Sequence, residues 1–292
     1  MSASAEPRDL RRGMGLMTLG MLLFATNDAL VKAHMGALSV AQALGVRGIF
    51  ATIGVAAFLM ASGARLTLAG YWHPLVVGRS LAEGLAVFFL FQALWRMPIG
   101  DVTAVSQSMP LFLLPIAVLV LGEKVSPVQW ALVILGFIGI VLIAKPASAG
   151  FDPAIGLVIG TTICFVLRDV TVKFIPPHIA SATVTFSTVS VVMAAALALA
   201  TIQGLGPMGV KQTGMLGLAG LLLAAGQAAI ITALRMAPVS QVGPFNYTKT
   251  AFAVVIGILF FGERPDLITA VGIGLVALSG ILIASGLGRP RA

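Results

Sequence analysis

The chain has 292 residues, of which 59% are hydrophobic and 10% are charged, with a net charge of +8 and a mean hydropathy of +1.05. Soluble domains contain about 25% charged residues, so this composition excludes an ordinary water-soluble fold. The basic residues are dispersed along the chain and form no stripe, which argues against a nucleic-acid partner. Cys164 is the single cysteine, so no intrachain disulfide can form.

Ten apolar stretches follow one another along the chain, each long enough to cross a hydrocarbon core of about 30 Å as a helix. They lie near residues 13–31, 40–61, 75–94, 102–122, 128–144, 154–172, 179–202, 215–234, 242–262 and 267–287. Proline marks many connections, as in Met97-Pro98, Ser126-Pro127 and Arg264-Pro265. The runs are too long and too uniform for the strands of a membrane barrel. The sequence therefore predicts an all-α integral membrane protein with ten transmembrane helices.

The two halves of the chain repeat one another. The segment ALWRMPIGDVTAV…FLLPIAVLVLGEK, from Ala93, matches ALRMAPVSQVGPF…FAVVIGILFFGER, from Ala233, at an offset of 140 residues. Five spans per copy is an odd number, so the second copy enters the membrane from the opposite face. This predicts two inverted five-helix repeats at 13–146 and 147–287, flanked by cytoplasmic segments 1–12 and 288–292.

The orientation follows from the distribution of Lys and Arg between the loops. With the amino terminus inside, nine of these residues lie in cytoplasmic segments and five lie outside, which favours both termini in the cytoplasm. The first apolar run has no credible cleavage site, so it is predicted to be the first span and not a removed signal.

The chain resembles the drug/metabolite transporter superfamily, and its EamA branch in particular. The most specific motif is Leu121-Gly122-Glu123-Lys124 followed by a glycine-containing helix, echoed by Phe261-Gly262-Glu263-Arg264. Within the family the chain is most similar to bacterial amino-acid exporters of the YddG type. The resemblance implies an inner-membrane carrier without cofactor or metal, whose cavity is lined mainly by spans three, four, eight and nine. One departure is Thr250, where relatives usually carry a proline matching Pro110.

Ionisable residues inside the membrane are costly, so each is a candidate for function. Arg79 and Glu83 lie four residues apart in the third span, on one face of the helix. They are predicted either to form an internal ion pair that orders helix packing or to bind substrate. In the second case Glu83 contacts a substrate amine or a coupling proton, and Arg79 binds a carboxylate.

Polar pairs recur at equivalent positions of the fourth and ninth spans. Ser106 and Gln107 precede Pro110, which leaves the carbonyl of Ser106 without its helical partner. The 140-residue offset maps this pair onto Asn246 and Tyr247. The four side chains are predicted to bind substrate on the pseudo-two-fold axis, with hydrogen bonding between helices as the alternative.

Three more side chains are candidates for the cavity. Lys249 in the ninth span and Gln227 in the eighth are included among the substrate-binding residues, against snorkelling and helix contact as the alternatives. Arg47 is predicted either to face the cavity or to snorkel towards the membrane surface, whereas Arg168 is predicted to snorkel.

A second group of polar residues at the ends of spans is predicted to form structural or gating contacts. Asp28 with Lys32, and Asp169 with Lys173, have the i,i+4 spacing of helical ion pairs. Glutamate at a helix carboxyl end opposes the dipole, so its recurrence there indicates a specific partner. The full group is Asn27, Asp28, Lys32, Glu123, Asp169, Lys173 and Glu263.

Together these features predict a secondary transporter that exports a small metabolite, such as an aromatic or other hydrophobic amino acid. The mechanism is alternating access, driven by the solute gradient or by protons through Glu83. A carrier for a sugar phosphate, nucleotide sugar or cationic compound is the alternative. No Walker motif or hydrolase motif is present and no rings of like charge recur, which weighs against ATP use, an intramembrane enzyme and a channel.

Overall fold

The computed structural model describes the chain except for its two ends and a few internal segments. The described residues are 7–35, 37–63, 66–109, 111–112, 126–144, 152–172, 174–236 and 243–284. Within them the structure is all-α, and the only β feature is an isolated bridge between Met35 and Leu38. The predicted fold class is confirmed.

Among the described residues, each of the ten apolar stretches overlaps one of ten main helices. They are α1 (Pro7–Lys32), α2 (Val40–Ala61), α3 (Pro74–Leu94), α4 (Ile99–Ser106), α5 (Pro127–Ala144), α6 (Ile155–Val172), α7 (Ser181–Gln203), α8 (Val210–Met236), α9 (Thr248–Phe261) and α10 (Leu267–Ala284). A one-turn helix (Leu68–Tyr71) precedes α3, and a 3-10 helix (Gly243–Tyr247) precedes α9.

Local chemistry explains where several of these helices begin. The hydroxyl of Ser39 accepts a hydrogen bond from the amide of Gln42 and so caps α2. Asp266 caps α10 in the same way through the amide of Thr269. The helices α3 and α5 begin with Pro74 and Pro127, at positions whose amide needs no intrahelical partner.

The helices pack in a pattern that is symmetric between the two repeats. The large α1–α8 contact has its counterpart in α3–α6, and the α2–α8 contact has its counterpart in α3–α7. The pairs α2–α7, α4–α9 and α5–α10 each join a helix to its own equivalent. Every major contact therefore maps onto another contact, or onto itself, when the repeats are exchanged. This is the packing expected of two five-helix repeats related by a pseudo-two-fold axis.

The outer surface of the bundle is suited to lipid. Among the described residues, five helices are long and apolar enough to cross a membrane, with candidate spans of 21 to 24 residues: α1, α2, α3, α7 and α8. Three shorter helices, Pro127–Ile143, Phe245–Phe261 and Leu267–Ile283, are also apolar. Large aliphatic side chains on many helices face outward: Ile53, Leu85, Ile134, Leu221, Leu259 and Leu278. Such a surface would be unfavourable in water and identifies a multi-pass membrane protein.

Glycines allow the closest approaches between helices. Gly20 on α1 lies against the carbonyl of Gly226 on α8, and Gly139 on α5 lies against the carbonyl of Gly272 on α10. On α8, Gly220 lies against the backbone carbonyl of Arg47, on α2. Small residues at crossings are the usual means by which helices pack tightly in lipid.

We expect Gly220→Ala to destabilise the protein, because the added methyl would collide with the Arg47 carbonyl, which is backbone and cannot turn aside. Overpacking of this kind costs about 1–3 kcal/mol. Gly214→Ala is the matched control, since its methyl would enter open space on the same helix. Thermal unfolding of the two purified variants in detergent measures the difference, and equal melting temperatures would contradict the packing.

Candidate functional site

The helices α4 and α9 are irregular at corresponding places in the two repeats. The helix α4 ends at Ser106. The amide of Gln107 still bonds to the carbonyl four residues back, that of Thr103 (2.9 Å), whereas the amide of Ser108 bonds only three residues back, to Val105 (3.0 Å). In the second repeat a 3-10 turn, Gly243–Tyr247, interrupts the span before α9 begins. Interrupted helices in matching positions are typical of transporter binding sites, because they release backbone polar groups at mid-membrane.

The two irregular segments contact one another. The Gln107 side-chain amide donates a 2.8 Å hydrogen bond to the backbone carbonyl of Asn246. Ser106 is buried but bonds within its own helix, to the carbonyl of Thr103. The buried Tyr247 hydroxyl has no hydrogen-bond partner in the described part of the chain and fits against Gly280 of α10. Of the four predicted residues, the structure thus joins Gln107 to Asn246 directly.

A cation of the ninth span pairs with a carboxylate of the first. The Lys249 Nζ lies 2.8 Å from Oδ2 of Asp28, and the other oxygen of Asp28 accepts a 2.8 Å hydrogen bond from Asn27. Both Asn27 and Asp28 are buried. The prediction that Asp28 pairs with Lys32 is wrong, because Lys249 reaches the carboxylate across the interface between the repeats.

The carboxylate of Glu83 also pairs between repeats. It lies 2.5 Å from the guanidinium of Arg168 on α6, whose Nε in turn lies 2.6 Å from Asp169. The predicted Arg79–Glu83 pair is therefore not formed, and the prediction that Arg168 snorkels is wrong. Adjacent Arg168 and Asp169 do meet, because the long arginine side chain folds back over its neighbour while its far end reaches Glu83.

Arg79 and Arg47 complete this region. Arg79 donates a 2.7 Å hydrogen bond to the Thr188 hydroxyl on α7, and its Nε is buried without a partner among the described residues. Arg47 lies over the ring of Phe91 at 5.3 Å and donates a long 3.4 Å hydrogen bond to Asn27. We call the whole set the central polar network: Asn27, Asp28, Arg47, Arg79, Glu83, Arg168, Asp169, Thr188 and Lys249.

Lys32 and Glu263 form a second site at one end of the bundle. Their side chains lie 2.6 Å apart. Lys32 also donates to the carbonyl of Met97 (2.7 Å), and Glu263 accepts from the amide of Ile99 (2.8 Å), at the start of α4. This Lys32–Glu263 clamp therefore ties together the end of α1, the α3–α4 connection and the end of α9. The equivalent residues of the other repeat, Lys173 and Glu123, lie outside the described residues.

Gln227 is half-buried on α8. Among the described residues, no group of three or more His, Cys, Asp or Glu side chains could hold a metal ion.

Three network residues were absent from the predicted site. Arg168 occupies the position that Asn27 holds in the first repeat, at the 141-residue offset, and this equivalence was the signal that it faces the same interface. The depth of Arg47 within the second apolar stretch is compatible with both burial and snorkelling, so the sequence did not distinguish them. Thr188 carries no charge, so nothing in the sequence separated it from other hydroxyls.

A double-mutant cycle tests the pairing of Glu83. We expect Glu83→Gln and Arg168→Met to be non-additive in the free energy of unfolding by about 1–3 kcal/mol, because each removes the same contact. The cycle of Glu83→Gln with Arg79→Met is the control and should show a smaller coupling. Unfolding in mixed micelles provides the measurement. A larger coupling of Glu83 to Arg79 than to Arg168 would show that Glu83 pairs with Arg79 and would contradict the pairing described here.

Comparison with known proteins extends these observations. Residues 11–145 and 152–285 each match the model of the EamA-like transporter family. A crystal structure aligns with 95% of this chain and 99% of its own at a TM-score of 0.65 and 16% identity, which shows a shared fold.

Curated relatives are transporters. An S-adenosylmethionine uptake transporter of Rickettsia prowazekii is 35% identical over 92 residues, 30% of this chain and 31% of that protein. Its namesake in Rickettsia felis is 28% identical over 162 residues, 54% and 53% of the two chains. The pseudopaline exporter CntI of Pseudomonas aeruginosa is 25% identical over 139 residues, 48% of each chain. The matches thus span about half or less of each relative, and the finer likeness to amino-acid exporters stays a prediction.

Proposed function

We propose that this chain, which belongs to the EamA-like transporter family, is a secondary carrier that exports a small amino-acid-type metabolite by alternating access. Its family and its apolar helices make it a multi-pass membrane transporter of small molecules. The proposal adds the substrate class, the direction of transport and the residues that perform it.

One observation carries the proposal. Charged groups of both signs, buried in the case of Asp28 and Arg47 and half-buried in the others, lie together where helices of the two repeats meet, in the central polar network. A zwitterion presents an amine and a carboxylate, so it can exchange partners with such a network: the amine with Glu83, and the carboxylate with one of the network's cations, which include Arg79 and Lys249. Substrate binding can then replace internal ion pairs without leaving a charge unpaired in a medium of low dielectric.

The interrupted helices supply the uncharged part of the proposed site. Ser106, Gln107, Asn246, Tyr247 and Gln227 are proposed to surround the remainder of the substrate. The Gln107–Asn246 hydrogen bond joins the two repeats, so its breaking and reforming would accompany their relative motion. Thr250 is buried beside this region, its hydroxyl has no hydrogen-bond partner among the described residues, and it adds a polar group where relatives usually carry proline.

A second candidate is uptake of S-adenosylmethionine, which the two Rickettsia relatives favour. That compound also carries an α-amino and an α-carboxylate group, so the same charged network could recognise it. The relatives include both an uptake transporter and an exporter, and direction is therefore taken from the resemblance that the sequence indicates. We place the protein in the bacterial inner membrane with both termini in the cytoplasm, on the distribution of positive charge.

Transport by purified protein in liposomes tests the proposal. We expect saturable flux of labelled phenylalanine or leucine and counterflow when unlabelled substrate is on the opposite side, both of which a channel lacks. Labelled S-adenosylmethionine is measured in parallel, and protein-free liposomes serve as the control. Flux of S-adenosylmethionine without flux of any amino acid would favour the second candidate.

Glu83→Gln is expected to slow transport at least tenfold while leaving membrane insertion intact, because it removes the partner of Arg168 and a proposed amine ligand. The flux is measured with and without a pH gradient in the liposome assay. If protons are coupled through Glu83, the variant also loses the response to the gradient. Unchanged flux in the variant at every pH would remove Glu83 from the mechanism.

The Lys32–Glu263 clamp is proposed to act as a gate, with Asn27, Asp28 and Asp169 as structural contacts below it. Glu263→Gln should loosen the clamp and raise the reaction rate of a buried cysteine, Thr103→Cys, with a membrane-impermeant maleimide. A shift of 1 kcal/mol would raise the rate about fivefold. The background is Cys164→Ser, and Arg264→Gln, which alters an exposed neighbouring charge, is the control. Equal rates in all variants would assign the clamp a purely structural role.

A further inference from the structure

We infer that Arg47 is the residue that binds the carboxylate of the substrate, and that a free carboxylate is therefore the group by which this transporter selects its cargo. This role deepens the proposed function and depends on it. It differs from the expectation that Arg79 performs this task.

Arg47 is the most deeply buried cation of the central polar network. Arg47 is only 5% exposed, and its guanidinium has five N–H donors. In the described part of the chain its one hydrogen bond is the long contact with Asn27 (3.4 Å), and Nε has no partner. A buried guanidinium with most donors unused is costly unless another group completes its hydrogen bonds.

The neighbouring carboxylates do not fill this role. Asp28 and Glu83 lie close enough to stabilise the Arg47 charge electrostatically. Each is already in direct contact with another cation, Asp28 with Lys249 and Glu83 with Arg168. The charge of Arg47 is thus tolerated, while its Nε–H has no hydrogen-bond partner among the residues that the structure describes.

The charge balance of the network points in the same direction. Its described residues include four cations but three carboxylates: Arg47, Arg79, Arg168 and Lys249 against Asp28, Glu83 and Asp169. One positive charge is therefore in excess in a region of low dielectric. The carboxylate of a substrate would give the unpaired cation a partner, whereas a cationic substrate without a carboxylate would increase the imbalance.

The backbone around Arg47 is held firmly, as a binding residue requires. Gly45 and Gly48 let α2 pack directly onto Leu197 and Met193 of α7, and Gly220 of α8 lies against the Arg47 carbonyl. The Phe91 ring supports the guanidinium at 5.3 Å. The planar guanidinium of Arg47 is thus held in one place. It can donate two parallel hydrogen bonds to a carboxylate without a large rearrangement.

Matched ligands test this role without any variant. Binding to the detergent-purified full chain is measured by ligand-dependent thermal stabilisation for phenylalanine, phenylalaninamide, N-acetylphenylalanine and 3-phenylpropanoate. The first, third and fourth carry a carboxylate, whereas the amide keeps the shape of phenylalanine but not that group. We expect the three carboxylates to bind, and the amide to bind about tenfold or more weakly. Equal binding of the amide, or no binding by any of the three carboxylates, would overturn the inference.

Variants then assign the selectivity to Arg47. Arg47→Gln should weaken the three carboxylates about tenfold and leave the amide unchanged, so that the preference disappears. Arg47→Lys keeps the charge but not the fork and should restore part of the preference. Arg96→Gln, in an exposed connection, is the matched control and should behave as the unmodified protein. A preference for carboxylates that survives in Arg47→Gln would contradict the assignment. If the preference disappears in Arg79→Gln instead, Arg79 is the residue that binds the carboxylate.

The outcomes separate this inference from the proposed function. If 3-phenylpropanoate binds through Arg47 but no amino acid is transported, the substrate class of the proposed function is wrong and the role of Arg47 stands. If phenylalanine and its amide are transported equally well, the carrier function stands and the role of Arg47 is wrong.

Discussion

The structure depends on the cost of placing charge inside a membrane. Each described carboxylate of the central polar network contacts a cation, and two of these pairs join helices of different repeats, Asp28 with Lys249 and Glu83 with Arg168. Such pairs hold the repeats in register, because separating them would leave charges unpaired in a medium of low dielectric. In the proposed mechanism these pairs are exchanged for contacts with a charged solute, so that the groups which stabilise this arrangement of the helices would also bind the substrate.

The two repeats share the same helix packing but differ in their charged contacts. Asp28 and Asp169 are equivalent by the 141-residue offset, yet Asp28 pairs with a lysine of the ninth span and Asp169 with its own neighbour, Arg168. Position 27 is asparagine in the first repeat, whereas its equivalent is Arg168. Helix contacts remain symmetric because they depend on shape and small residues, whereas the charged contacts differ because they depend on single side chains. The described charged contacts are therefore asymmetric, although the helix packing around them is symmetric.

Much of the fold could be predicted from the sequence. Most helix bounds followed the apolar runs closely, although α4 ends at Ser106 inside the run 102–122. The agreement arises because the backbone in lipid must satisfy its own hydrogen bonds and a helix does so locally. Proline and capping residues such as Ser39 and Asp266 then set the ends. Polar residues recur at 106–107 and 246–247, and the irregular backbone after α4 and before α9 lies at the same positions. The sequence predicted only the freed carbonyl of Ser106, since proline removes a helical hydrogen bond wherever the helix lies.

The sequence by itself thus determined ten helices, their duplication and the residues too polar for lipid. Only the tertiary structure decided their partners. Spacing of four residues made Arg79–Glu83 and Asp28–Lys32 feasible pairs, but it describes one helix in isolation. In the folded protein Arg168 and Lys249 approach the same carboxylates from other helices, and Lys32 instead meets Glu263, 231 positions away. A long cation takes the partner that lies closest at its depth in the membrane, and that depends on how helices distant in the sequence pack together.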